Sequence, residues 1–352
     1  MGILVWLIII NVAVFVHELA HYWAAKAQGV AVKAFSIGMG PILWRREWRN
    51  TEWRISLLPI GGYVDIDGLA PTEYDESGKP VPPQHGFAKL PYWGKFAVLF
   101  AGPFSNIVLA VLVVAVAFMG QGRAIEGKRI QLNVLNNSRA EQVGFRSGDL
   151  LLSINGKPVI DIQAVREHLL TNGTRVFVIE RNKKPLELKF DWSPTVLPGQ
   201  ERPKFGVGIG REITYEPISP LEAFSASAST LIGGIPQFFQ AIVGGMFRTL
   251  TFQRDENLQG PVGAVTTTGQ VAQQGIFPIL FLAGIINLSL GLFNLLPIPG
   301  LDGGRILLSS IVALRRKPFA PGQEEQINFA GFVFVMVFIL LVTVQDLGRL
   351  GQ

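Results

Sequence analysis

Apolar residues run almost unbroken over residues 1–27, 92–119, 276–298 and 328–344. A helix needs about 20 such residues to cross a hydrocarbon core roughly 30 Å thick, so the four runs predict four transmembrane helices. The first run has neither the basic start nor the small-residue cleavage site of a signal peptide, and it is expected to remain as the first span. After it the pattern shortens to β-prone runs at 34–38 and 53–59, broken by Gly38, Gly40, Pro41, Pro59, Gly61 and Gly62. That punctuation predicts a β-hairpin over residues 31–66. Residues 67–85 are polar and read as a loop. Residues 221–247 carry no charge after Glu222 but are diluted by serines, two Gly-Gly pairs and Pro236, which suits an interfacial or re-entrant helix within a linker spanning 217–275.

Residues 121–216 have a different texture, with Gly-Asp and Asn-Gly turns, β-prone runs at 130–135, 150–154, 175–180 and 186–190, and a short helical run at 162–170. They read as a soluble insert between two halves of a membrane core, 1–120 and 276–352. Composition agrees with a membrane protein. Hydrophobic residues make up 49% of the chain and charged residues 16%, against roughly 25% charged in soluble domains. The lipid bilayer is therefore a partner. The net charge of +5 comes without a basic-aromatic stripe, so nucleic acid is not.

Within the first span lies Phe15-Val16-His17-Glu18-Leu19-Ala20-His21. His17 and His21 fall on one helix face, able to hold a single metal ion with Glu18 beside it as the base that takes a proton from water. Two imidazoles, a third ligand and an open position describe a catalytic zinc (Zn2+) site, and hydrolysis of a peptide bond is the expected reaction. Ionisable residues inside a membrane helix point to function. The chain has no cysteine and four histidines, so the third ligand is His85, His168 or a carboxylate. In the second span, Ala101-Gly102-Pro103-Phe104-Ser105-Asn106 buries an amide that needs a partner, expected on the catalytic helix or on a site ligand.

Ala140 to Gly144, Gly148-Asp149-Leu150-Leu151 and Ile154-Asn155-Gly156-Lys157-Pro158-Val159 resemble a bacterial PDZ domain. That resemblance implies a groove taking an extended peptide. With His17-Glu18-x-x-His21, the Gly-Pro-x-x-Asn of the second span, Gly260-Pro261-Val262-Gly263 and Asn294-x-x-Pro297-x-Pro299-x-Leu301-Asp302-Gly303, the whole chain resembles the site-2 protease family of intramembrane zinc metalloproteases. The resemblance implies that His17, His21 and Asp302 bind zinc, that Glu18 is catalytic, and that Asn294 binds substrate backbone. It implies transmembrane protein substrates, such as an anti-sigma factor. One PDZ-like domain is recognisable where the best-known enterobacterial members carry two.

Asp302 also has support of its own, as the carboxylate that directly follows a span in a Gly- and Pro-rich turn. For it to meet the histidines, the third span must run parallel to the first, which leaves one crossing between them and keeps 221–247 from spanning. Basic residues at 33–54, 89 and 95, and at 305 and 315–317, place both of those loops in the cytoplasm by the positive-inside rule. The expected protein is multi-pass in the cell inner membrane, with the PDZ-like insert extracytoplasmic and the active site towards the cytoplasm. The competing expectation is a membrane-anchored PDZ scaffold or chaperone without proteolytic activity.

Overall fold

The computed structural model describes residues 2–70, 73–74, 80–81, 83–135, 138–159, 161–193, 205–251 and 258–350, so part of the polar loop expected at 67–85 lies outside the described residues. The chain divides into two compact units, one made of residues 1–121 and 218–352, the other of residues 122–217.

The first unit is built on helices α1 (Gly2–Ala27), α2 (Tyr92–Gln121), α5 (Pro220–Leu250), α6 (Pro261–Ala272), α7 (Ile276–Asn294), α8 (Asp302–Arg315) and α9 (Gln323–Leu350). Five of these, α1, α2, α5, α7 and α9, are long and apolar enough to cross a membrane. That is one more than the four expected. The addition is α5, where the Gly-Gly pairs and Pro236 do not interrupt the helix; it starts at a capping box in which Ser219 and Glu222 bond reciprocally. Outward-facing Ile3, Leu4, Ile8 and Val12 leave α1 with the exposed apolar surface that lipid accepts.

At the centre of the unit, α2 packs against α7. Small residues set that seam. A Cβ on Gly291 would stand 2.8 Å from the Pro103 carbonyl oxygen, so glycine is what lets the two backbones close. The turn after α7 folds back over the start of α8 because Gly303 and Gly304 leave no side chain against residues 295–299. Asp302 is thereby returned towards α1.

Strands β1 (Val32–Trp48) and β2 (Thr51–Ile66) are longer than the expected runs, and each pairs twice. Residues 34–37 lie between residues 52–55 and residues 62–65, and residues 52–55 face residues 44–47 on their other side. The hairpin is thus a four-run sheet whose open edges are 44–47 and 62–65. Arg49 and Asn50, with φ of 51° and 54°, make the two-residue turn between the strands. The second fold falls at Gly38, where φ is 81° and a side chain would meet the Leu58 carbonyl oxygen at 2.6 Å. Leu43, Trp44, Leu57, Leu58 and Ile60 leave the far end of this sheet apolar and exposed. Two short strands follow, β3 (Glu73–Tyr74) and β4 (Pro80–Val81).

The second unit contains β5 (Arg123–Val134), α3 (Arg139–Val143), β6 (Leu150–Ile154), β7 (Lys157–Pro158), α4 (Ile162–Leu170), β8 (Gly173–Arg181), β9 (Lys184–Trp192) and β10 (Val207–Glu216). Its sheet runs β10-β5-β6-β8-β9, with β7 paired to β6, which makes β10 an edge strand. Ile130, Leu132, Phe145, Leu151, Phe177 and Ile179 fill the core. Asp149 is 1% exposed, accepts from the Arg146 amide at 2.8 Å, and takes two charge-assisted bonds of 2.7 Å from Arg181. Removing one partner of a buried pair strands the other, so Asp149→Ala is expected to lower this unit's stability by about 3 kcal/mol while leaving zinc content unchanged. Denaturation followed alongside metal analysis checks this, and equal losses of both would tie the pair to the membrane unit.

Candidate metal centre

α1 carries His17 and His21 one turn apart on a buried face against α2. The two imidazoles are 7% and 6% exposed, and their Nε2 atoms stand 3.1 Å apart. Asp302, at the first position of α8, brings its Oδ2 to 3.1 Å from His17 Nε2 and 3.4 Å from His21 Nε2. Ligands about 2.0–2.1 Å from a tetrahedral zinc are about 3.3–3.4 Å from one another, so the three donors have the spacing of three zinc ligands. Their chemistry fits as well. His21 Nδ1 donates to the Val98 carbonyl at 2.7 Å, which fixes the tautomer and leaves Nε2 as a lone pair facing the other two donors. His17 Nδ1 is buried and has no hydrogen-bond partner among the described residues.

Gly102 sets how closely α2 approaches. A Cβ there would overlap His21 Nε2 and stand 2.8 Å from His17 Cε1. Gly102→Ala is therefore expected to push α2 away or turn the His21 ring, weakening zinc binding by about tenfold or more. Full zinc occupancy in that variant at substoichiometric free metal would show that α2 yields instead.

Glu18, Asn294 and Asp302 line one cavity of about 250 Å³ together with Tyr63, Val64 and Arg305. Four separate elements meet there: α1, the end of α7, the start of α8 and the open edge of β2. Gly62 admits the strand, because a Cβ on it would stand 2.7 Å from the Ser36 carbonyl oxygen and 3.9 Å from Glu18 Cγ. Asn294 Nδ2 donates to the Leu290 carbonyl at 3.1 Å, which holds the side chain along its own helix at the cavity wall.

Every sequence-derived site residue, His17, Glu18, His21, Asn294 and Asp302, is thus brought to one place. The other two histidines are elsewhere: His85 Nδ1 bonds Asp67 at 2.8 Å, and His168 lies on α4 of the insert. The expectation for Asn106 is corrected, since its Oδ1 and Nδ2 are buried and neither has a direct hydrogen-bond partner among the described residues. Gly102, Tyr63 and Val64 were not among the site residues read from the sequence. The available signals were the glycine before Pro103 in a membrane helix and the Gly61-Gly62 pair beside the β-prone run.

Two imidazoles and a carboxylate turned to one point, with a further carboxylate beside them on an apolar helix, are the equipment of a membrane-embedded metallohydrolase. A model described as peptidase family M50 matches residues 5–338. Relatives carrying zinc metalloprotease in their names include proteins of Rhizobium meliloti, 30% identical over 98% of this chain and 96% of the relative, and of Campylobacter jejuni, 30% identical over 97% and 92%. Another, from Clostridium perfringens, is 32% identical over 99% of this chain and 98% of its own length. The chain belongs to peptidase family M50, the site-2 protease family, and is a zinc metalloprotease.

Proposed function

We propose that this protein cuts the transmembrane segments of membrane proteins inside the bilayer, and the single observation that carries the reading is the shared cavity of Glu18, Asp302 and an open strand edge among apolar helices. His17, His21 and Asp302 hold the zinc. When bound, zinc would supply Lewis acidity that lowers the pKa of water to about 7. Glu18 takes the proton of the attacking water and returns it to the leaving amine. Asn294 offers its amide to the substrate backbone. Residues 62–65 offer ladder partners to a substrate helix that must unwind before it can be cut.

Four of the five candidate helices cross the membrane in this reading, and α5 does not. The meeting of Asp302, just after α7, with histidines near the end of α1 requires those helices to run in parallel with one crossing, α2, between them. The far end of α5 agrees: Ile242 and Met246 pack with Leu258, two residues before Gly260 at the start of α6, and α6 packs on the beginning of α1. Basic residues of the hairpin and of Arg315-Arg316-Lys317 support a metal site towards the cytoplasmic side of an inner membrane. The insert is then an extracytoplasmic PDZ-like domain, and its edge strand β10 is suited to an extended peptide. A single-pass regulator of the anti-sigma class fits this arrangement as substrate.

The test uses the full chain in vesicles, given a substrate with a transmembrane segment and a soluble peptide of the same cut sequence. Chelator-sensitive cleavage of the membrane substrate is expected. Cleavage of the soluble peptide alone would move the activity to the membrane surface.

A further inference from the structure

Three unpaired polar groups lie on the faces that α1, α2 and α7 turn towards one another, and the reaction uses none of them directly. Asn106 on α2 is fully buried, and both of its amide atoms lack partners among the described residues. Asn287 on α7 is 2% exposed; its Nδ2 donates to the Ala283 carbonyl at 2.8 Å, while its Oδ1 has no partner among the described residues. The third group is Nδ1 of His17.

Their helix positions bring them together. Asn106 is one turn along α2 from Gly102, whose missing side chain faces both imidazoles, and Ser105 Oγ donates to the Val16 carbonyl at 3.3 Å across the same contact. On its other side Asn106 faces α7, with its Cβ 3.4 Å from where a Cβ of Gly291 would be. Asn287 is one turn along α7 from Gly291. Asn106 thus lies between His17 and Asn287 along the inner face of α2. Their complement of atoms is a donor on imidazole, a donor and an acceptor on one amide, and an acceptor on another.

Buried water makes about three hydrogen bonds to otherwise unsatisfied groups, and a metal-ligating histidine almost always gives its second N–H to an acceptor. His21 meets that need through the Val98 carbonyl. We propose that Asn106 is a positioning residue for His17: with Asn287 it holds one buried water that accepts the His17 Nδ1–H, so that Nε2 faces the zinc as a lone pair. The proposal rests on His17 being a zinc ligand. It extends that reading to a residue that touches neither zinc nor substrate.

The experiment compares Asn106→Thr with Asn106→Val in the full chain, because the two side chains have the same shape and differ in a hydroxyl that can bind the water. Zinc dissociation constants are measured by chelator competition, with the visible spectrum of the Co2+-loaded protein as a second reading, and His17→Ala is run beside them. Asn106→Val is expected to weaken zinc by about 10–100-fold and to shift the Co2+ bands, with Asn106→Thr much closer to the unaltered protein. Equal zinc affinity in the Thr and Val variants overturns the proposal. If Asn106→Val does not fold, Asn106→Ser against Asn106→Ala makes the same comparison, and equal affinities there overturn it as well. Undiminished zinc affinity in His17→Ala would instead remove the ligand reading, and the proposal with it; loss in His17→Ala with no Thr–Val difference removes the proposal alone.

Discussion

Glu18→Gln is expected to bind zinc as the unaltered protein does and to cleave about 10²–10⁴-fold more slowly, the range of a positioned general base. The separation of the two properties follows from the geometry. In the proposed site zinc is held by Nε2 of His17, Nε2 of His21 and Oδ2 of Asp302, which stand 3.1 to 3.4 Å from one another, and Glu18 is not one of the three. Glu18 instead lines the cavity beside them. Glutamine keeps the shape and loses the basic oxygen. His17→Ala, His21→Ala and Asp302→Ala are expected to lose zinc by more than the roughly 10–100-fold typical of outer-shell changes, and to lose cleavage with it. Metal analysis after dialysis against a weak chelator, paired with cleavage rates, makes the comparison. Full occupancy and activity in Asp302→Ala would take Asp302 out of the site, and a zinc-free Glu18→Gln would make Glu18 a ligand.

That much of the site was legible because its chemistry is local. His17, Glu18 and His21 share one turn and a half of helix, and Asp302 sits in a turn whose composition marks it. The hairpin was harder to read for a physical reason. Its β-prone runs show which residues extend, yet the pairing depends on the bend at Gly38, which carries residues 34–37 between two segments of β2. The β-prone run at 53–59 does not supply the open edge. Trp53, Arg54 and Ile55 are in fact paired on both sides, with residues 35–37 and with residues 44–46. Helix α5 was ambiguous in another way: Ser225, Ser227 and Ser229 lower its hydropathy, but all three hydroxyls donate to carbonyls one turn back in the same helix and so do not interrupt it. Asn106 shows the limit of burial arguments. Its depth was evident, and its lack of a direct partner was not.

Cleavage of a stable transmembrane helix is expected to fall about tenfold when the open edge at residues 62–65 loses one backbone donor, and about a hundredfold when Asn294→Ala is added. In a dry site each released backbone group needs a new partner, and in the proposed mechanism those partners are the β2 edge and Asn294 at the cavity wall. Neighbouring residues of a strand direct their N–H groups to opposite sides, and the Val64 N–H turns to the Glu18 carboxylate, so Tyr63→Pro breaks a bond to β1 while Val64→Pro removes a donor on the cavity side, beside Glu18. The second kind should keep zinc and fold while slowing cleavage. Substrates with a Gly-Pro break near the cut have fewer internal bonds to surrender, and they should lose less with either change. Rates for the two substrate types, measured on the same variant preparations with zinc content checked, decide the matter. Equal losses on stable and broken helices would mean that this edge supports the fold and takes no part in opening the substrate.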